Sequence, residues 1–142
     1  MPSWNPRLET GHPHIDAEHQ EFFRRLDALR DAINASGGRE QIIDLIVILQ
    51  KYTIGHFSRE EAYMHRVNCP GLTANCAAHR DFARRLDSWL HLLTTGTEPV
   101  SLLRDIHHEA TTWIESHILG IDCQLRGCRM PDSAPPLPLP PL

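Results

Sequence analysis

His56 and Glu60, in the stretch His56-Phe57-Ser58-Arg59-Glu60, set an imidazole and a carboxylate four residues apart, a spacing that a helix turns onto one face. Such a pair can bind one metal ion together, or one member can hold an ion while the other bridges to a second. Solvated His and Glu at this spacing are common on helices, so the pair alone does not define a site. Three other segments strengthen it, because His19, His79 and His117 each fall on an otherwise apolar stripe, with Asp122 just beyond the last. A bundle core holding His19, His56, Glu60, His79, His117 and Asp122 would bury many polar groups, and each unpaired one costs about 1–3 kcal/mol. Shared metal ions remove that penalty, so the six residues together point to a metal centre.

The elements that must position these side chains follow from apolar spacing. Residues 1–15 hold Pro2 and Pro6, Gly11 and the run His12-Pro13-His14, with little periodicity. They predict an extended N-terminal arm anchored through Trp4 and Leu8. Asp16 is a candidate helix cap, and from Ala17 onward Phe22, Phe23, Leu26, Leu29 and Ile33 keep a 3.6-residue period that includes His19. Ser36-Gly37-Gly38 ends that helix. A second helix from near Arg39 carries Ile42, Ile43, Ile46, Leu49, Thr53, His56, Glu60 and Met64 along one side. Asn68-Cys69-Pro70-Gly71 is a turn. A third helix, from about Thr73 to Leu93, shares Asn75, His79, Phe82, Leu86, Leu90 and Leu93 on one face. The fourth follows Pro99, with Leu102, Leu103, Ile106, Ala110, Trp113, Ile114 and His117 inside.

Helices with short connections and no competing strand pattern predict an all-α fold, an up-down-up-down four-helix bundle over residues 1–128. The last twelve residues contain six of the eleven prolines and read as a solvated Pro-rich tail over 129–142. His65, His91, His107 and His108 fall off the stripes and are expected at the surface.

The 142 residues, 41% hydrophobic with a formal net charge of -4, suit one domain with a single core. The near-balanced charge leaves no nucleic-acid footprint. The N-terminus lacks the features of a signal peptide, and the most apolar window, Ile42 to Leu49, is short and contains Asp44, so no membrane span is expected. Ten histidines stand against four cysteines, Cys69, Cys76, Cys123 and Cys128, without CxxC pairing, which argues against a zinc ribbon. The expected location is cytoplasmic, with reduced thiols; Cys69–Cys76 and Cys123–Cys128 are the disulfide pairings considered.

From Trp4 to about residue 125 the chain resembles the bacterial hemerythrins, a di-iron oxygen-binding family. The resemblance runs through Trp4, Leu8, Gly11 and Ile15-Asp16-Ala17-Glu18-His19, then Tyr52-Thr53-Ile54-Gly55-His56-Phe57-Ser58-Arg59-Glu60-Glu61 with Met64. It continues through Pro70, His79-Arg80-Asp81-Phe82, and Trp113 through His117-Ile118 to Asp122. The resemblance implies two iron ions with an oxo or hydroxo bridge. His19 and His56 would hold the iron with an open position, His79 and His117 the other, and Glu60 and Asp122 would bridge them. It also implies that O2 binds at the open iron and rests there as hydroperoxide, which is binding without turnover of a substrate.

The chain departs from the family at Asn75, where the pattern has a third imidazole on the second iron. Asn75 can bind through its amide oxygen or leave the position to water, Cys76 can offer a thiolate instead, or the metal complement can differ. Imidazole and carboxylate donors also suit manganese or zinc. Three functions follow: O2 binding for transport, storage or sensing; a redox enzyme decomposing peroxide or reducing nitric oxide through the coordination position at Asn75; or a bundle that keeps the fold and uses its site only for iron storage, or is metal-free. A monomer is expected, with O2 or a similar diatomic or peroxide as ligand and, for sensing, a separate protein partner.

Overall fold

The computed structural model describes residues 4–96, 100–120 and 128, with side chains from 102 onward in the last helix. The described residues form four α-helices: α1 (Pro13–Asn34), α2 (Arg39–Arg66), α3 (Leu72–Thr95) and α4 (Val100–Gly120). The connections between them are short, and α1 packs on both α2 and α4 while α2 packs on α3. This is an all-α four-helix bundle, as the apolar spacing predicts. No strand occurs among the described residues, and no described helix is long and apolar enough to cross a membrane.

The stripes meet in one core. Phe22, Phe23, Leu26, Leu29 and Ile33 of α1 pack with Ile42, Ile46 and Leu49 of α2, Phe82, Leu86 and Leu93 of α3, and Ile106, Ala110 and Ile114 of α4. Burying each of these Phe, Leu and Ile side chains contributes about 1.5–3 kcal/mol. Trp89 is buried with them although it lies off the face expected for α3. The arm is anchored as expected: Leu8 is fully buried and Trp4 packs on Phe23 at 6.0 Å between ring centroids.

Several local features differ from the sequence expectation. Helix α1 begins at Pro13, not Ala17, because a proline in the first turn gives up only an N–H that has no helical acceptor. Asp16 therefore lies inside the first turn, and its Oδ1 accepts from the backbone N–H and hydroxyl of Thr10, both at 2.7 Å. The arm is not wholly extended either, since Pro6–Leu8 forms a 3-10 turn. Ser36 and Asn68, with φ of 57° and 53°, take the left-handed position after α1 and α2. Each is followed by a backbone bond that spans the helix end, Gly37 N–H to Ala32 O at 2.8 Å and Cys69 N–H to Met64 O at 2.9 Å. Both ends are Schellman motifs.

Cys69 is bonded to Cys128, with Cα atoms 5.5 Å apart, and Cys76 is free. This replaces both expected pairings and the expectation of fully reduced thiols. Cys69 is buried in a second, smaller cluster with Ile15 and Met64, which no local spacing rule reveals. His107 is also not a surface residue: it is half-buried, with Nε2 3.0 Å from the Leu26 carbonyl oxygen. His12 folds back from the arm, with Nδ1 2.8 Å from the Tyr63 hydroxyl. Asp122, Cys123 and the Pro-rich tail lie outside the described residues.

Candidate metal centre

Each helix delivers its chemistry from the stripe that drives it into the core. Helix α1 brings His19, α2 brings His56 and Glu60, α3 brings Asn75 and His79, and α4 brings His117, and all six side chains are buried. Glu60, with no exposure at all, sits at the centre. Its Oε2 lies 3.1 Å from His19 Nε2 and 3.2 Å from His56 Nε2. Its Oε1 lies 3.3 Å from His79 Nε2 and accepts from Asn75 Nδ2 at 2.7 Å. His79 Nε2 and His117 Nε2 are 3.1 Å apart.

The donor atoms fall into two groups, His19–His56–Glu60 and Glu60–His79–His117, each within 4.8 Å and sharing the one carboxylate. Burial raises the pKa of Glu60, but the imidazoles of His19, His56 and His79, when they carry protons toward it, outweigh burial and hold the carboxyl well below its usual range. The central group is therefore an anion in a dry core.

A second layer of carboxylates stands behind two of the imidazoles. Glu18 Oε1 is 3.3 Å from His56 Nδ1, and Glu61 Oε2 is 3.1 Å from His79 Nδ1. An ionised carboxylate only accepts, so Nδ1 carries a proton in each pairing, and in the neutral ring Nε2 then presents a lone pair to Glu60. Lone pair then faces carboxylate oxygen at 3.2 and 3.3 Å. Two acceptors at that range repel unless a proton or a cation lies with them. The residues present thus fit a metal ion on each side of Glu60, and their nitrogen and oxygen donors suit iron, manganese or zinc.

Glu18 is itself held by Arg59, whose Nε donates to Oε2 at 2.5 Å and whose terminal nitrogen contacts the same oxygen. Its backbone carbonyl accepts from the Tyr52 hydroxyl at 2.8 Å. Burial raises the Glu18 pKa, but His56 and Arg59 bring it below the ordinary value. Sequence reasoning assigned no role to Glu18, Arg59, Glu61 or Tyr52. For Glu18, Arg59 and Glu61 the signal was adjacency, since Glu18 precedes His19 and Arg59 and Glu61 flank Glu60.

Aromatic rings close the site. Phe57 stacks on His79 at 3.7 Å, and Trp113 stacks on His117 at 4.5 Å and on Phe82 at 4.2 Å. Between His19, His56 and His117 lies a cavity of about 10 Å³, walled by Phe22, Phe57, Ile114 and Ile118. It has room for a molecule about the size of water.

Asn75, read from the family resemblance as standing in for an imidazole, is fully buried. Its Nδ2 contacts Glu60 and, at 2.9 Å, the Met64 sulfur, while Oδ1 has no hydrogen-bond partner among the described residues. Cys76 belongs to neither donor group. It is half-buried and hydrogen-bonds to Glu61; burial, then Glu61, pushes its thiol up to about 11, so it stays protonated near neutral pH.

A four-helix bundle carrying a buried histidine–carboxylate cluster defines a class of cation-binding proteins, and the sequence comparisons agree. Residues 10–125 match the hemerythrin HHE cation binding domain, and the chain belongs to that family. Among its relatives is a bacteriohemerythrin of Clostridium acetobutylicum, 26% identical over 123 residues, 84% of this chain and 94% of the relative. The myohemerythrin of Riftia pachyptila is 25% identical over 124 residues, and the hemerythrin of Themiste dyscrita 27% over 124, each spanning 87% of this chain and 90% of the relative.

Proposed function

We propose that the chain is a non-haem di-iron protein that binds dioxygen reversibly, for transport, storage or sensing. The observation that carries this reading is Glu60, a fully buried carboxylate shared by two pairs of imidazoles from all sides of the bundle. His19 and His56 would hold the iron that faces the small cavity, His79 and His117 the second, and Glu60 would bridge them. Asp122, two residues past α4, is proposed as the second bridging carboxylate on the strength of the family resemblance. When bound, the iron pair would supply both the affinity for dioxygen and the electrons that accompany it.

The chain's own groups would do the rest. Glu18 and Glu61 fix the tautomers of His56 and His79 and aim their Nε2 lone pairs inward. Phe57, Phe82 and Trp113 exclude bulk water, which favours retention of a neutral diatomic ligand. The cavity's walls, with no polar group beyond the imidazoles, accept such a ligand without an unpaired hydrogen bond.

One observation favours a redox enzyme as a second reading. With Asn75 in place of an imidazole, the second donor group has only two ring nitrogens, and the unpartnered Oδ1 beside it suits a water or a weak ligand. An exchangeable position on both irons would admit peroxide or nitric oxide as well as dioxygen.

Anaerobic reconstitution with ferrous iron tests both. Two irons per chain and repeated oxygenation and deoxygenation without bleaching to the ferric form are the expected result. Rapid oxidation with sustained peroxide consumption would select the enzyme, and fewer than two irons per chain would remove the di-iron reading altogether.

A further inference from the structure

The two carboxylates behind the imidazoles are not equivalent. Glu18 shares its charge with Arg59, a guanidinium only 3% exposed that makes two contacts to it. Glu61 has no such counterion: among the described residues its one ion-pair partner within 4.0 Å is His79. Arg80 lines the same open groove as Glu61 without pairing to it, and the remaining hydrogen-bond neighbour is the neutral Cys76 thiol. A carboxylate accepting from Nδ1–H raises the donor strength of the opposite ring nitrogen, and a nearby cation weakens that effect. The stronger support therefore falls on His79, in the donor group where Asn75 replaces an imidazole.

We propose that Glu61 is a positioning residue for the second metal: its unneutralised carboxylate on His79 Nδ1 strengthens that imidazole and offsets the ring missing at Asn75. Glu18, paired with Arg59, orients His56 but strengthens it less. The inference rests on the two-metal reading above.

Glu61 is one-third exposed, so Glu61→Gln should fold; it keeps an oxygen for the Nδ1 proton and removes the charge. Zinc affinity, measured by chelator competition in the wild type, E61Q, N75H and the double variant, tests the idea without iron chemistry. E61Q is expected to weaken one of two bound zinc ions by about 10-fold or more. In the N75H background, where the third ring is restored, the same change is expected to cost less than about 3-fold. With cobalt as probe, E61Q should shift the visible bands of one ion only, a signature that a scaffolding role would not give.

Equal affinities in E61Q and wild type, equal losses at both ions, or equal losses in both backgrounds would overturn the inference while leaving the two-metal reading intact. A wild-type chain that binds fewer than two zinc ions would overturn the two together. If N75H does not fold, the comparison of E61Q with wild type decides alone, loss at one ion supporting the proposal and loss at both or neither ending it.

Discussion

His107 shows what one imidazole does when it is buried away from the central cluster. Burial lowers its pKa below the ordinary 6.5, more than its bond to the Leu26 carbonyl raises it. The folded protein then keeps His107 neutral while the unfolded chain takes up a proton near 6.5, so stability falls as pH drops through that value and levels off below the folded pKa. His107→Gln retains a donor for Leu26 without the titration. Its loss of stability between about pH 7.5 and about pH 5.5, read by denaturant unfolding, should be smaller than that of the wild type; an equal loss would dismiss His107 as the cause. His107 was misread from sequence because it lies off the α4 stripe, whereas its burial comes from the approach of α1. The same limit hid Glu18 and Glu61, whose partners stand on other helices. His19, His56, Glu60, His79 and His117 were legible as a buried set because each lies on the apolar stripe that turns its helix into the core.

At the scale of elements, periodicity located every helix body but not every end. Ser36 and Asn68 close α1 and α2 with left-handed residues that are not glycine, and Pro13 opens α1 a turn early. These are choices made by backbone hydrogen bonds, to which apolar spacing is blind. The Cys69–Cys128 bond is a further case, since it joins the α2–α3 turn to a residue beyond α4, across 59 positions. A cross-link closing a loop of that size stabilises the fold by about 2–4 kcal/mol. Reduction by a small dithiol should lower the denaturation midpoint accordingly, and Cys128→Ser should show the lower midpoint with or without reductant. A midpoint indifferent to reductant in the wild type would mean that the bond adds nothing to stability in solution.

For the whole molecule, the stability of the bundle and the filling of its centre are linked. The core holds a buried carboxylate and four imidazoles whose Nε2 atoms converge, an arrangement that favours the protein with cations bound over the protein without. A metal present at 100 times its dissociation constant adds about 2.7 kcal/mol, a rise of roughly 8–12 °C in Tm for a chain of this size. Calorimetry with added chelator and at two metal concentrations should find that dependence, and a Tm insensitive to both would argue that the cluster is filled by protons alone. The bundle class itself was legible in the order of stripes and breaks, because four amphipathic helices with short links have few other ways to bury their apolar faces.

The bond between Cys69 and Cys128 also makes a covalent ring of everything between them, all of α3 and α4 included. A single peptide-bond cut anywhere in that ring, for instance in the link between those two helices, would release no fragment. The clipped protein would run as one species on a denaturing gel until a thiol was added, and only then separate into two.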